Sequence, residues 1–153
     1  MGPPTRRAGL SGATREAAMA RIRWDDSMRF GVAELDELHQ DLTAVIADLG
    51  EALLRNAHEE LLKDMAEELY DLAQHVFGVE EDRMAERGVE QAAAHKAEHT
   101  AFLRTYAAPL LDFADGEADL DSDHLDGLAR TWLAHLDGPD RALGLALAGA
   151  PGV

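Results

Sequence analysis

The stretch that decides the fold is ELDELHQDLTAVIADLGEALLR, residues 34–55. Its apolar residues recur at steps of three and four, which is the period of a helix with one buried face. These residues are Leu35, Leu38, Leu42, Val45, Ile46, Leu49 and Leu53. The stretch therefore predicts one amphipathic helix over residues 34–55.

Three further stretches show the same period. The second ends at the stop signal Arg87-Gly88. The third covers residues 90–113, and we expect Pro109 to kink or end it. The fourth carries its apolar residues over 125–136. No stretch alternates as a strand would, so we predict an all-α, up-down-up-down four-helix bundle.

The ends of the chain differ from this pattern. Residues 1–20 are rich in Gly, Pro, Arg and Ala, and we interpret them as a flexible N-terminal arm. The bundle is assigned to residues 21–141, and residues 142–153 form a small apolar tail. The acidic loop before the fourth helix offers Ser122 or Asp123 as its N-cap.

Composition limits the partners and the chemistry. The chain has 153 residues, enough for one domain, and its net charge of −16 disfavours nucleic acid and membrane surfaces. Cysteine is absent, so any metal must be held by Asp, Glu or the seven His. No apolar run reaches the roughly 18 residues of a membrane span, and the first residues lack the apolar core of a secretory signal. We therefore expect a cytoplasmic protein.

Seven side chains of the four helices are candidate metal ligands. His95 and His99 lie one turn apart on one face of the third helix, where two imidazoles can grip one ion. His39 shares the apolar stripe of the first helix. The full set is His39, His75, Glu80, His95, His99, His135 and Asp140.

Each candidate also has a plainer interpretation. A single His on an apolar stripe is more often a hydrogen-bonded core residue, Glu80 can lie on a solvated face, and Asp140 can be a turn residue after Gly138-Pro139. Lys96 excludes the His-Glu-x-x-His motif of zinc proteases, and Asp36 is expected on a solvated face. The joint pattern favours metal, because several unpaired imidazoles and carboxylates in one core are costly without a common partner.

Three segments resemble the signatures of bacterial hemerythrins. WDDSMRFGVAELDELHQ, residues 24–40, is similar to the opening Trp, the Gly-Val step and the Asp-x-x-His. FGVEEDRMAERGVEQAAAHKAEH, residues 77–99, is similar to Phe-x-x-Glu-Glu-x-x-Met, then Gly, then His-x-x-x-His. TWLAHLDGPD, residues 131–140, is similar to the closing Trp, His and Asp. The resemblance spans residues 24–141 in the right order.

The resemblance implies a cofactor of two non-heme irons bridged by carboxylates and an oxo or hydroxo group. It places three imidazoles on one iron and His39 on the other. The three imidazoles are His95, His99 and His135, and the bridging carboxylates are Glu80 and Asp140. A ferritin-like di-iron oxidase would instead show Glu-x-x-His pairs, which do not occur at these positions.

The second helix departs from the family pattern. The family has a His four residues before the bridging Glu, but here Val76 holds that place and His75 lies five before Glu80. Positions four apart on a helix differ by about 40°, whereas positions five apart differ by about 140°. A one-residue π-bulge would bring His75 back toward Glu80, so its ligation stays open. Trp132 lies three before His135, where the family has four.

Two functions follow from the resemblance. The first is dioxygen binding for carriage, storage or sensing. The alternative is a di-iron enzyme that acts on peroxide, nitric oxide or dioxygen through the altered shell of the second iron. A third interpretation keeps the bundle as an interaction module without metal. The sequence does not indicate an oligomeric state.

Overall fold

The structure, a computed structural model, describes residues 22–149, and within that range it contains four long helices and no strand. They are α1 (Ala33–Leu54), α2 (Glu59–Arg87), α3 (residues 92–114) and α4 (residues 122–149). Short connections join consecutive helices into an up-down-up-down bundle, which confirms the predicted all-α fold. None of the helices in this range is long and apolar enough to cross a membrane.

The helices α3 and α4 each contain one π-helical turn. The turn in α3 is Leu103–Ala107, and the turn in α4 is Leu136–Asp140. A proline ring crowds the carbonyl four residues earlier, and a wider turn relieves that crowding. Pro139 lies inside the second turn, and Pro109 follows the first. Pro109 therefore does not end the helix: the winding changes just before it, and the helix continues to Ala114.

The helix ends follow simple capping chemistry. Gly88 ends α2 in the left-handed conformation, with φ of 63°, and its N–H donates to the carbonyl of Met84. The predicted stop is therefore confirmed. At the start of α4 the cap is Asp121, whose carboxylate accepts the N–H of His124 at 2.8 Å. The expectation of Ser122 or Asp123 as the cap was wrong by one or two residues.

The core of the bundle consists of two apolar clusters that follow one another along its length. The larger includes Leu42, Phe77 and Leu136, and the smaller includes Leu35, Met84 and Leu143. Three of the helices run from one cluster to the other, and each carries a polar side chain between them: His39 on α1, Glu80 on α2 and Asp140 on α4. The candidate ligands therefore lie in a polar layer between two apolar ones.

Residues 142–149 continue α4 and cover the smaller cluster. Leu143 and Leu147 are buried there against Leu35 and Met84. The Arg87 guanidinium donates to the carbonyl of Leu147 at 3.4 Å. This part of the proposed tail is therefore a packed element, whereas residues 150–153 and the arm proposed for residues 1–20 lie outside the described range.

Candidate metal centre

Six of the predicted ligands meet in the polar layer of the bundle. Each is at most 6% exposed. Five of them offer donor atoms that all lie within 4.8 Å of one another, the distance range of ligands around one ion. The five are Glu80, His95, His99, His135 and Asp140. The sixth, His39, reaches the same two carboxylates from α1.

The two oxygens of each carboxylate face different imidazoles. Glu80 Oε1 lies 3.2 Å from His95 Nε2 and 2.9 Å from His99 Nε2, while Oε2 contacts His39 Nε2. Asp140 Oδ1 lies 3.0 Å from His95 Nε2 and 3.0 Å from His135 Nε2. Asp140 Oδ2 lies 3.3 Å from His39 Nε2. Both carboxylates therefore stand between a group of three imidazoles and a single imidazole.

The buried charges shift one another's pKa. Burial raises the pKa of Glu80, but contacts with four imidazoles outweigh it and hold that pKa well below its usual value. Burial lowers the pKa of His95 and His135, but Asp140 and Glu80 outweigh it. The pKa of His95 rises to about 9 and that of His135 to about 10. Without a metal, protons bound to these imidazoles balance the carboxylates at neutral pH.

Several buried polar atoms of the cluster lack a hydrogen-bond partner among the described residues. They are His39 Nδ1, His135 Nε2 and Asp140 Oδ2. His135 Nε2 is close to Asp140 Oδ1 but not in hydrogen-bonding geometry. Buried polar atoms normally have a partner, and mixed imidazole and carboxylate donors suit iron and similar transition metals. The residues present therefore fit a metal ion.

A π turn brings His135 and Asp140 to the same site. The two residues are five apart, which on a regular α-helix would separate them by about 140° around the axis. In the π turn Leu136–Asp140, backbone hydrogen bonds join residues that are five apart. Residues with this spacing therefore lie on the same face of the helix, and the two side chains converge. Gly138 and Pro139 lie within this turn and do not end the helix.

The structure does not bring His75 to the cluster. His75 is also five residues from its partner, Glu80, but α2 is a regular α-helix over this stretch. His75 is exposed on the outer face beside Asp71 and Glu68, and Val76 is fully buried at the inward position. The sequence left ligation by His75 open and made it depend on a π-bulge; α2 has no such bulge between His75 and Glu80, and His75 lies apart from the cluster.

Aromatic rings and one hydroxyl support the imidazoles, and the sequence analysis missed most of these contacts. Phe77 stacks on His99 with ring centres 4.0 Å apart. Thr43 donates to the His39 carbonyl at 2.7 Å and accepts the Trp132 indole N–H at 2.9 Å. The four-residue step from His39 to Thr43 was the available signal.

Glu81 and Asp36 also make specific hydrogen bonds. His99 Nδ1–H donates to Glu81 Oε2 at 2.7 Å, which orients the ring. Asp36 is buried and accepts the N–H groups of Phe30 at 3.0 Å and Gly31 at 3.1 Å. The expectation of a solvated Asp36 was therefore wrong, because its carboxylate holds the segment that leads into α1.

The fold and the site define a class of protein, a helical bundle built around a buried metal-binding cluster of imidazoles and carboxylates. No family model matches the chain. A bacteriohemerythrin of Pseudomonas aeruginosa (strain LESB58) is 31% identical over 115 residues, covering 75% of this chain and 73% of that protein. A bacteriohemerythrin of Stenotrophomonas maltophilia (strain R551-3) is 30% identical over 125 residues, covering 81% and 80%.

Solved structures agree with these relatives. A wild-type hemerythrin superposes with a TM-score of 0.75 at 25% identity, covering 84% of this chain and 99% of that one. A hemerythrin mutant superposes with a TM-score of 0.77 at 23% identity and shows the same fold. The chain belongs to the hemerythrin-like family, with relatives named bacteriohemerythrin.

Proposed function

We propose that this chain is a non-heme di-iron protein that binds dioxygen, for carriage, storage or sensing. One observation carries the proposal: Glu80 and Asp140 each turn one oxygen toward the group formed by His95, His99 and His135, and the other oxygen toward His39. Carboxylates in this position can bridge two metal ions. The names of the relatives and of the solved structures support iron and hemerythrin chemistry.

The directions of the carboxylate oxygens also indicate which residues would hold each iron. His95, His99 and His135 would hold one iron and His39 the other, with Glu80 and Asp140 bridging and an oxo or hydroxo group from solvent between them. Two ferrous ions together would supply two electrons to dioxygen. The chain itself supplies the donors and keeps the cluster away from bulk water.

The surroundings favour a small uncharged ligand. Phe30, Phe77 and Trp132 place aromatic rings against the imidazoles. A half-open cleft of about 260 Å³ between α3 and the π turn of α4 borders His95 and is lined largely by small or apolar side chains such as Ala94. An uncharged diatomic molecule enters apolar surroundings of this kind at little cost, whereas a charged ligand would lose its hydration.

The di-iron enzyme acting on peroxide, nitric oxide or dioxygen is the second candidate. The observation that favours it is the buried Val76, which leaves the His39 side with a single imidazole. Fewer protein ligands leave more room for exogenous ones, and open positions favour turnover over storage. Turnover of peroxide or nitric oxide well above that of free iron would select this candidate.

The deciding experiment is iron loading followed by spectroscopy. The purified protein is loaded with Fe(II) without oxygen, iron is counted per chain, and visible spectra are recorded before air, in air and after oxygen removal. We expect two irons and a band that appears with oxygen and disappears when oxygen is removed. Immediate irreversible oxidation would exclude reversible binding, and His95→Ala with unchanged iron content would exclude the metal site.

A further inference from the structure

We infer that the two metal positions of this chain are unequal, with a tight position at the three imidazoles and a weak, exchangeable one beside His39. The inference rests on the proposed dinuclear site. It concerns which position fills first and which one gives up its metal more readily.

The tight position has five protein donors. The Nε2 atoms of the three imidazoles and one oxygen from each carboxylate lie within 4.8 Å of one another. One of these imidazoles, His99, is also fixed from behind by Glu81 at 2.7 Å and by the stacked ring of Phe77. A preoriented donor set binds metal more tightly, because less freedom is lost on binding.

The position beside His39 has three protein donors. They are His39 Nε2 and the remaining oxygens of Glu80 and Asp140. Val76, fully buried one turn before Glu80, offers only methyl groups on the inward face of α2. Its place is the one from which a side chain on α2 would reach this position.

No other buried polar side chain of α1 within the described range is free to replace the missing donor. Both oxygens of Asp36, one turn before His39, accept backbone N–H groups. The Thr43 hydroxyl is taken by the His39 carbonyl and the Trp132 indole. Each group would have to give up existing hydrogen bonds to bind a metal.

Within the described range, His39 itself lacks a partner for its second ring nitrogen. Its Nδ1 is buried and has no partner among the described residues, whereas a metal-binding imidazole usually donates its second N–H to an acceptor. Since loss of even such an outer partner weakens metal binding by roughly 10- to 100-fold, we expect roughly a 100-fold difference between the two positions.

Titration of the purified wild-type chain with Co²⁺, followed by calorimetry and d–d absorption, tests the inference without dioxygen chemistry. Two binding steps roughly 100-fold apart support it. The variant Val76→His should bring the second step close to the first, while Val76→Ala, the matched control, should not. The variant His75→Ala should leave both steps unchanged, because His75 is exposed.

If Val76→His does not fold, two alanine variants still test the inference. His39→Ala should lose the weak step alone and retain one tight Co²⁺, whereas His95→Ala should weaken the tight step. Two equally tight steps in the wild type would overturn the inference and leave the dinuclear proposal standing. Binding of one Co²⁺ at most, at any concentration, would overturn both.

Discussion

At the scale of single residues, His99 and His135 differ in what their second ring nitrogen, Nδ1, contacts. His99 Nδ1 has Glu81 at 2.7 Å, while His135 Nδ1 lies 3.6 Å from Glu98, beyond a hydrogen bond. Glu81 is mostly covered, whereas the Glu98 side chain is 57% exposed. The charge of Glu81 can therefore act on its imidazole, but that of Glu98 is screened by water.

Removal of Glu81 should weaken the tight metal position. We expect Glu81→Ala to lower its Co²⁺ affinity roughly 10-fold, because His99 loses both its orientation and a basic partner. Competition with a chelating dye measures the change. Glu98→Ala is the matched control and should change affinity less than twofold; an equal loss in both variants would point to the general negative charge instead.

The elements show what the sequence could and could not predict. Helical periodicity and the His-x-x-x-His spacing are local, so the bundle and the inward faces follow from them. The spacing of five residues occurs twice, from His75 to Glu80 and from His135 to Asp140, and only the second pair converges. The difference is one π turn: Pro139 lies inside the second stretch, whereas residues 75–80 contain no proline, so the spacing alone does not decide which pair converges.

The last segment of α4 also depends on contacts that no local pattern reveals. Gly144 faces the ring of Phe30, and a Cβ at this glycine would lie 2.5 Å from the ring carbons. Phe30 in turn packs against His39, with ring centres 5.1 Å apart. Because Gly144 has no side chain, the end of α4 can pack directly against Phe30, which in turn contacts His39 of the cluster.

Filling this contact should destabilise the protein. We expect Gly144→Ala to lower the free energy of unfolding by about 1–3 kcal/mol through overpacking. Gly78→Ala is the control: it lies within α2 with nothing within 4 Å of the added Cβ, and should raise stability by about 0.5–1 kcal/mol. Urea unfolding of both metal-free variants measures the pair, and stabilisation by Gly144→Ala would contradict the packing argument.

The whole molecule buries a set of charges between two apolar clusters, and its stability therefore depends on what neutralises them. In the metal-free state the neutralising ions are protons on His95 and His135, whose pKa values are about 9 and 10 in the folded chain. In the proposed loaded state metal cations would replace those protons, because only neutral imidazole binds metal. Protons and metal thus compete for the same site.

This competition predicts opposite pH dependences for the stability of the metal-free fold and for the extra stability that bound metal adds. The raised pKa values of His95 and His135 stabilise the metal-free fold fully below pH 6.5, and this contribution is lost as the pH rises through about 9 to 10. The lowered pKa of Glu80 adds stability that is lost only in acid, so it is constant over this window. Metal binding strengthens as the imidazoles lose their protons, so the stabilisation by Co²⁺ grows over the same window.

Thermal unfolding between pH 6.5 and 9.5 measures both trends. We expect the Tm of the metal-free protein to fall with pH and the gap between the Co²⁺-loaded and metal-free Tm to widen. His135→Ala should flatten the metal-free slope, since it removes the imidazole whose pKa is raised to about 10. A metal-free Tm that is constant or rises with pH would mean that the folded chain binds no more protons than the unfolded chain over this window, and protons on His95 and His135 would then not be what neutralises the carboxylates.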